Sequence, residues 1–211
     1  MSTQKQNALL TKAYVAISNA THDPLLQAAL ARYGYDATRL REGSAHHATV
    51  NRLTQQRERA TQTARETALL YQQSKEQLIE LFQTHRELAR LAYRREAQYT
   101  DHLRLTGPRE KGLSDMLAQA ETFYTHVPVP LMEKYHVPHK ELKEAAKLVT
   151  KVRELQAMQR HTQSQVQSLT RSRRQALKQL QTWMRRFMTV ARVALEEQPQ
   201  QLEALSQTVP S

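Results

Sequence analysis

Cysteine is absent from this 211-residue chain, which excludes a disulfide framework, a zinc–thiolate site and a thiol nucleophile. Glycine occurs only four times. Gly34, Gly107 and Gly112 fall at or beside predicted breaks, and Gly43 lies near the start of a long helical stretch, the usage of an almost wholly helical chain. No apolar run approaches the ~20 residues of a membrane span. The N-terminal stretch 1–20 is interrupted by Thr3, Gln4, Lys5, Gln6, Asn7, Thr11 and Lys12, so it does not read as a signal peptide. These absences predict a soluble cytoplasmic protein without a membrane span.

Catalytic signatures are also missing. There is no glycine-rich phosphate loop, G-x-S-x-G elbow, dinucleotide fingerprint or H-E-x-x-H pair. Glu196-Glu197 and Glu141/Glu144 sit at predicted helix ends, where solvation or capping explains them. Nine histidines raise the question of metal, but His46-His47 point to different sides of a helix and His136 and His139 flank Pro138 in a loop. His85, at a seam position, reads as a packing histidine with its polar atoms satisfied. The expectation is no enzyme activity, no metal and no cofactor, with a histidine-using helical enzyme or metal carrier as the remaining alternative.

What the chain does contain is an internal duplication. A shift of 102 carries Arg32–Glu42 onto Lys134–Glu144, Val50 onto Val152, Leu53 onto Leu155, Leu78 onto Leu180 and Ala89-Arg90 onto Ala191-Arg192. After a two-residue length change, Thr21-His22-Asp23-Pro24 returns as Thr125-His126-Val127-Pro128. Each half is therefore one supersecondary unit used twice, residues 1–106 forming the first helical repeat and 107–211 the second around one shared core.

Apolar spacing predicts a helix from Gln4 to Ala20, and Asp23-Pro24 caps and opens a short helix to about Tyr33, which Gly34 ends. From Ala37 to Leu105 there is no proline, so this stretch reads as one long helix. In it Val50, Arg57, Ala64, Tyr71, Leu78, His85, Ala92 and Tyr99 alternate with Leu53, Ala60, Thr67, Ser74, Leu81, Leu88 and Arg95 in a heptad-like seam. The break Thr106-Gly107-Pro108 precedes a helix from Leu113 to Thr125 and a helical turn from Leu131 to Tyr135. The second long helix runs from Pro138 to Glu197. Its seam alternates Ala145, Val152, Gln159, Val166, Arg173, Leu180, Phe187 and Ala194 with Leu148, Leu155, Thr162, Leu169, Ala176, Trp183 and Val190. A final segment from Gln200 to Leu205 precedes a frayed tail. The expected fold is all-α: an elongated antiparallel helical bundle with two ~60-residue helices packed as a coiled-coil-like pair. Polar belts at Thr54–Thr67 and Gln156–Ser168 read as close packing by small side chains, or as contacts to a second subunit or a polar cavity.

The net charge of +11 is uneven: residues 151–192 hold ten Lys or Arg against Glu154 alone. At 100° per residue Arg171, Arg174, Lys178, Arg185 and Arg192 share one ~60° sector opposite the apolar stripe. Such a row tracks phosphates by counterion release. The alternative is a solvated face, or pairing with Glu76, Glu80, Glu87 and Glu96. Trp183, Phe187, Tyr14, Tyr71, Tyr93 and Tyr99 read as core anchors rather than base-stacking platforms.

The run Trp183–Leu195 followed by Pro199–Leu205, with Tyr33-Gly34-Tyr35 and Leu40 upstream, resembles the corresponding stretches of a group of uncharacterised bacterial all-helical proteins of about this size. The resemblance implies a bacterial source and the helical repeat, and carries no activity. The resulting expectation is a non-enzymatic helical scaffold or assembly protein acting through self-association or a protein partner, since Leu177, Met184, Met188 and Leu195 exceed what one facing helix covers. The alternative is sequence-independent nucleic-acid binding through the basic face.

Overall fold

Two helices of 56 residues, α3 (Ala37–Ala92) and α7 (His139–Ala194), superpose on one another in sequence by the 102-residue shift at both of their ends. The computed structural model describes residues 3–105 and 112–205. The other helices are α1 (Thr3–His22), α2 (Pro24–Ala31), α4 (Ala97–His102), α5 (Leu113–His126), α6 (Val129–Lys134) and α8 (Pro199–Ala204). No strand occurs among the described residues, so the chain is an all-α bundle. The predicted break at Thr106-Gly107-Pro108 and the tail ending in Pro210-Ser211 lie outside the described residues.

The duplication is visible bond by bond. After α2, the amides of Tyr33, Gly34 and Tyr35 donate to the carbonyls of Leu30, Ala31 and Leu30; after α6, those of Tyr135, His136 and Val137 donate to Met132, Glu133 and Met132. Both turns need a left-handed residue, supplied by Gly34 at φ +83° and by His136 at +62°. Glycine meets that need without strain, whereas an L side chain does not. Asp23 caps α2 by accepting from the amides of Leu25 and Leu26, and Asp36 opens α3 by accepting from Thr38 and Arg39 at 3.0 and 2.9 Å.

The long helix expected over Ala37–Leu105 ends earlier, at Ala92. No glycine or proline stops it; tertiary packing does. Tyr93 turns inward to complete burial, and its phenol donates to the Pro128 carbonyl at 2.6 Å. Burial, with Glu96 and Tyr99 adding to it, pushes that phenol up to about 12, so it remains a donor. Leu103 and Leu105 follow it into the core. Arg86 and Gln119 then donate to the Arg104 carbonyl at 3.0 and 2.9 Å, and Arg90 donates to Leu105, covering carbonyls after α4. Helix α7 likewise stops three residues before the expected Glu197.

The predicted seams pack as expected with one exception. Every seam residue of α7, and every one of the first seam except the exposed Arg95, is buried or half-buried. Arg95 falls beyond the true end of α3, where the helical register no longer applies.

Spatially the chain forms two units: unit 1 is Met1–Ala60 with Gln165–Ser211, and unit 2 is Thr61–Ser164. Each unit draws on both repeats. The buried side chains group into two clusters among the described residues. Within the two polar belts the buried residues are Ala60, Thr67 and Thr162. The Thr67 and Thr162 hydroxyls are satisfied locally by the carbonyls of Thr63 and Gln159.

In unit 1, Ala13, Ala16 and Ile17 of α1 and Leu26 and Leu30 of α2 lie over the α3–α7 pair. Numbers rise along α3 as they fall along α7, from Gly43 opposite Trp183 to Arg57 opposite Thr170, so the pair is antiparallel. Trp183 stacks on Phe187 with centroids 5.1 Å apart and planes 10° apart, and Tyr35 meets both rings edge-on. Leu177, Met184 and Leu195 are buried and Met188 is half-buried within this same cluster. These four residues are therefore spent inside unit 1 and do not form the free apolar surface inferred for self-association. In unit 2, Phe82, Phe123 and Tyr124 make edge-to-face contacts beside Leu78, Val149 and Val152.

Candidate functional site

The heptad register that turns Ala176, Leu180, Trp183, Phe187 and Ala191 inward leaves the opposite face of α7 to solvent. Arg171, Arg174, Lys178, Arg185 and Arg192 all lie exposed there. None of the five takes part in an ion pair or a side-chain hydrogen bond among the described residues; ion pairs that the structure does hold include Arg39–Glu42 and Arg153–Glu121. The pairing expected from Glu76, Glu80, Glu87 and Glu96 does not occur. Those carboxylates belong to unit 2, whereas the five cations belong to unit 1.

Charge follows the same division. Unit 1 holds 15 Lys or Arg against 7 Asp or Glu, a net +8, and unit 2 holds 16 against 13, a net +3. Helix α1 contains no carboxylate, and neither does the chain from Leu155 to Leu195.

Beside this row, Gln6 of α1, Arg57 of α3 and Thr170, Arg173, Arg174, Leu177, Lys178 and Gln181 of α7 enclose a cleft of about 480 Å³. Two of its arginines are held by a reciprocal brace. Arg57 Nε donates to Thr170 Oγ1 at 3.1 Å, and Arg173 Nε donates to Thr54 Oγ1 at 2.8 Å. Each threonine hydroxyl spends its own proton on the carbonyl four residues earlier, Thr54 on Val50 at 2.8 Å and Thr170 on Val166 at 2.7 Å. Its oxygen is thereby turned into an acceptor for the guanidinium. The pattern is Thr-x-x-Arg on both strands of an antiparallel pair, with i and i+3 on one face of each helix. The Nη groups of Arg173, itself half-buried, have no protein acceptor among the described residues. The sequence reading placed Arg57 and Arg173 in the seam as packing positions and missed this role; the doubled Thr-x-x-Arg was the signal, legible only once the helix register was known.

The remaining candidates resolve into structure. His85 is buried between Tyr124 OH at 3.1 Å and Glu141 Oε1 at 2.9 Å. Burial, with Glu141 adding to it, pushes the Tyr124 phenol up, so it stays protonated and donates to Nδ1 while Nε2–H donates to Glu141. This is the satisfied packing histidine expected. No group of three His, Asp or Glu suited to a metal ion occurs among the described residues. The Glu133-x-x-His136 spacing does not form a helical pair, because α6 ends at Lys134 and His136 is left-handed. Tyr93 is a core anchor, and Tyr71 and Tyr99 are half-buried. Tyr14, expected in the core, is instead exposed and leans on the His47 ring at 5.8 Å. No helix of the described residues is long and apolar enough to cross a membrane.

Comparison with protein families, with curated proteins and with solved structures yields no match for this chain.

Proposed function

We propose that unit 1 binds the phosphate backbone of nucleic acid without reading its sequence, with Arg171, Arg174, Lys178, Arg185 and Arg192 as the contacting residues. The observation that carries this reading is that all five are exposed, aligned on one helix face and without a protein partner among the described residues. From Arg171 to Arg192 the row spans ~30 Å at 1.5 Å per residue, enough to meet several successive phosphates. The large aromatic rings of α7, Trp183 and Phe187, are buried, which leaves backbone charge rather than base stacking as the means of contact.

The test is fluorescence polarisation with labelled duplexes of unrelated sequence. With about five phosphates neutralised, affinity falls ~500-fold between 50 and 200 mM salt, from a log–log slope near −0.9 per phosphate. Replacing the five residues with Gln removes binding and flattens the salt dependence. Absence of binding at the lower salt, or equal binding by the Gln variant, refutes the reading.

A second reading, assembly through self-association, is supported by different residues from those inferred in the sequence. Leu69, Leu70 and Met158 of unit 2 are 59%, 50% and 53% exposed, large apolar side chains that a second copy would cover. Analytical ultracentrifugation of the wild type and of Leu69→Lys/Met158→Lys tests it: a monomer at every concentration removes the reading, and a dimer dissolved by the substitutions supports it.

A further inference from the structure

We propose that the cleft between Gln6, Arg57 and the Thr170–Gln181 face of α7 is a discrete binding site for an oligophosphate chain of two or three linked phosphates. The inference shares Arg174 and Lys178 with the nucleic-acid reading but differs from it in Arg57 and Arg173, which are not part of the exposed row, and in its concave shape, which takes a compact ligand.

Four cations, Arg57, Arg173, Arg174 and Lys178, line a volume of about 480 Å³ that no carboxylate enters. That volume lies in the usual range for small-molecule sites. A monoanion such as a carboxylate is satisfied by a single guanidinium fork, so it leaves most of this charge uncompensated. A di- or triphosphate carries several charges along a short chain and accepts bidentately from guanidinium groups. The reciprocal threonine brace fixes Arg57 and Arg173 through their Nε atoms, so two forks are oriented before the ligand arrives, which lowers the entropy lost on binding. Gln181 adds an amide that donates to the bridging or terminal oxygens. The only apolar lining residue is Leu177 and no aromatic ring lines the cleft, so a nucleobase finds nothing to stack on. The recognised group is the phosphate chain itself, whether free inorganic oligophosphate or the tail of a nucleotide.

Isothermal titration of the full chain with sodium tripolyphosphate, with ATP and with adenosine tests the site. One equivalent of tripolyphosphate binds, and adenosine does not. ATP binding within a few-fold of tripolyphosphate identifies either source as a ligand through the shared chain; ATP binding much more weakly identifies the free oligophosphate as the ligand. Arg57→Gln/Arg173→Gln weakens tripolyphosphate binding ~100-fold, about tenfold for each charge-assisted fork lost. Arg174→Gln/Lys178→Gln, whose side chains have no protein partner and so leave the fold intact, weakens it at least ~10-fold. Arg171→Gln/Arg185→Gln/Arg192→Gln, which leaves the cleft untouched, changes it less than ~3-fold at fixed salt. No binding of tripolyphosphate by the wild type, binding of several equivalents, or equal loss in the last variant and the first overturns the proposal. Because the last variant also weakens duplex binding if the exposed row is the nucleic-acid face, the two readings fail separately.

Discussion

Replacing Gly43 with alanine puts two well-known effects in opposition at one residue. In an exposed helix interior the change gains about 1 kcal/mol of helix propensity. Here the added Cβ falls 2.5 Å from Cη2 and Cζ2 of Trp183 and 2.8 Å from its Cζ3. Carbon pairs settle at ~3.5–4.0 Å, so the indole must retreat by roughly 1 Å or more. It is not free to do so: Phe187 is stacked against it at 5.1 Å, and Tyr35 meets it edge-on at 5.8 Å. Overpacking of this kind costs ~1–3 kcal/mol, so against the helix-propensity gain the net effect is a loss of about 0–2 kcal/mol. The duplication supplies the control. The 102-residue shift carries Gly43 to Ala145 and relates Trp183 to Leu81, and Ala145 and Leu81 line one cleft in unit 2. A Trp183→Leu background therefore accepts alanine, and there Gly43→Ala stabilises by about 1 kcal/mol, a coupling of ~1–3 kcal/mol between the two sites. Urea melts followed by far-UV circular dichroism measure all four corners of the cycle. Trp183 is the only tryptophan, so its emission reports the same site directly in the Gly43→Ala protein. If Gly43→Ala stabilises equally with tryptophan and with leucine at 183, the close contact does not control this helix pair.

Three further outcomes follow from local chemistry. Asp36→Ala removes the carboxylate that accepts from the amides of Thr38 and Arg39 and lowers stability by about 1 kcal/mol in a denaturant melt. At the paired left-handed positions the signs oppose: His136→Gly relieves backbone strain and stabilises by ~1 kcal/mol, and Gly34→Ala, which meets nothing within 4 Å, destabilises by a similar amount from the backbone alone. Burial lowers the His47 pKa, against an opposing hydrogen bond to the backbone of Leu10. Its contribution to stability is therefore fully present above the unfolded value near 6.5 and is lost as pH falls from there through the folded value. The melting temperature should drop over that window, and less so in His47→Gln; an equal drop in both assigns the effect to other groups.

The sequence made the long helices, their seams and the α2 cap legible because each rests on local spacing: period for the seams, Asp23-Pro24 for the cap, Gly34 for the turn. It hid the end of α3 because that end is set by burial of Tyr93, Leu103 and Leu105 rather than by a breaker residue. The repeat itself held the missing clue, since the 102-residue shift carries Pro199, which opens α8, back to Ala97, which opens α4. The exposed basic row was readable from helical angles alone. The cleft was not, because its two Thr-x-x-Arg pairs lie 113 and 119 residues apart across their hydrogen bonds and meet only through the antiparallel register.

The duplicated architecture also bears on whether the basic face serves the fold. Under the 102-residue shift, Arg171, Arg174, Lys178, Arg185 and Arg192 correspond to Leu69, Gln72, Glu76, Gln83 and Arg90, and only the last keeps its charge. Thr54 and Arg57 correspond to Gln156 and Gln159, and Thr170 and Arg173 to Ala68 and Tyr71, so the counterpart helices lack the brace entirely. Helices α3 and α7 nonetheless have the same length and end at equivalent residues. A 56-residue helix of this register therefore folds with neutral, acidic and apolar residues where α7 is cationic. Solubility alone asks only for a polar face, which Gln and Glu satisfy. The row of five exposed cations on α7 stabilises nothing seen among the described residues and, through mutual repulsion, costs some stability. A charge distribution of that kind is compensated when an anionic ligand is bound. Thermal melts separate the two explanations: neutralising the five exposed cations to Gln should leave the melting temperature unchanged or raise it at low salt, whereas a fall comparable to that from losing a buried contact would mean that the row does serve the fold.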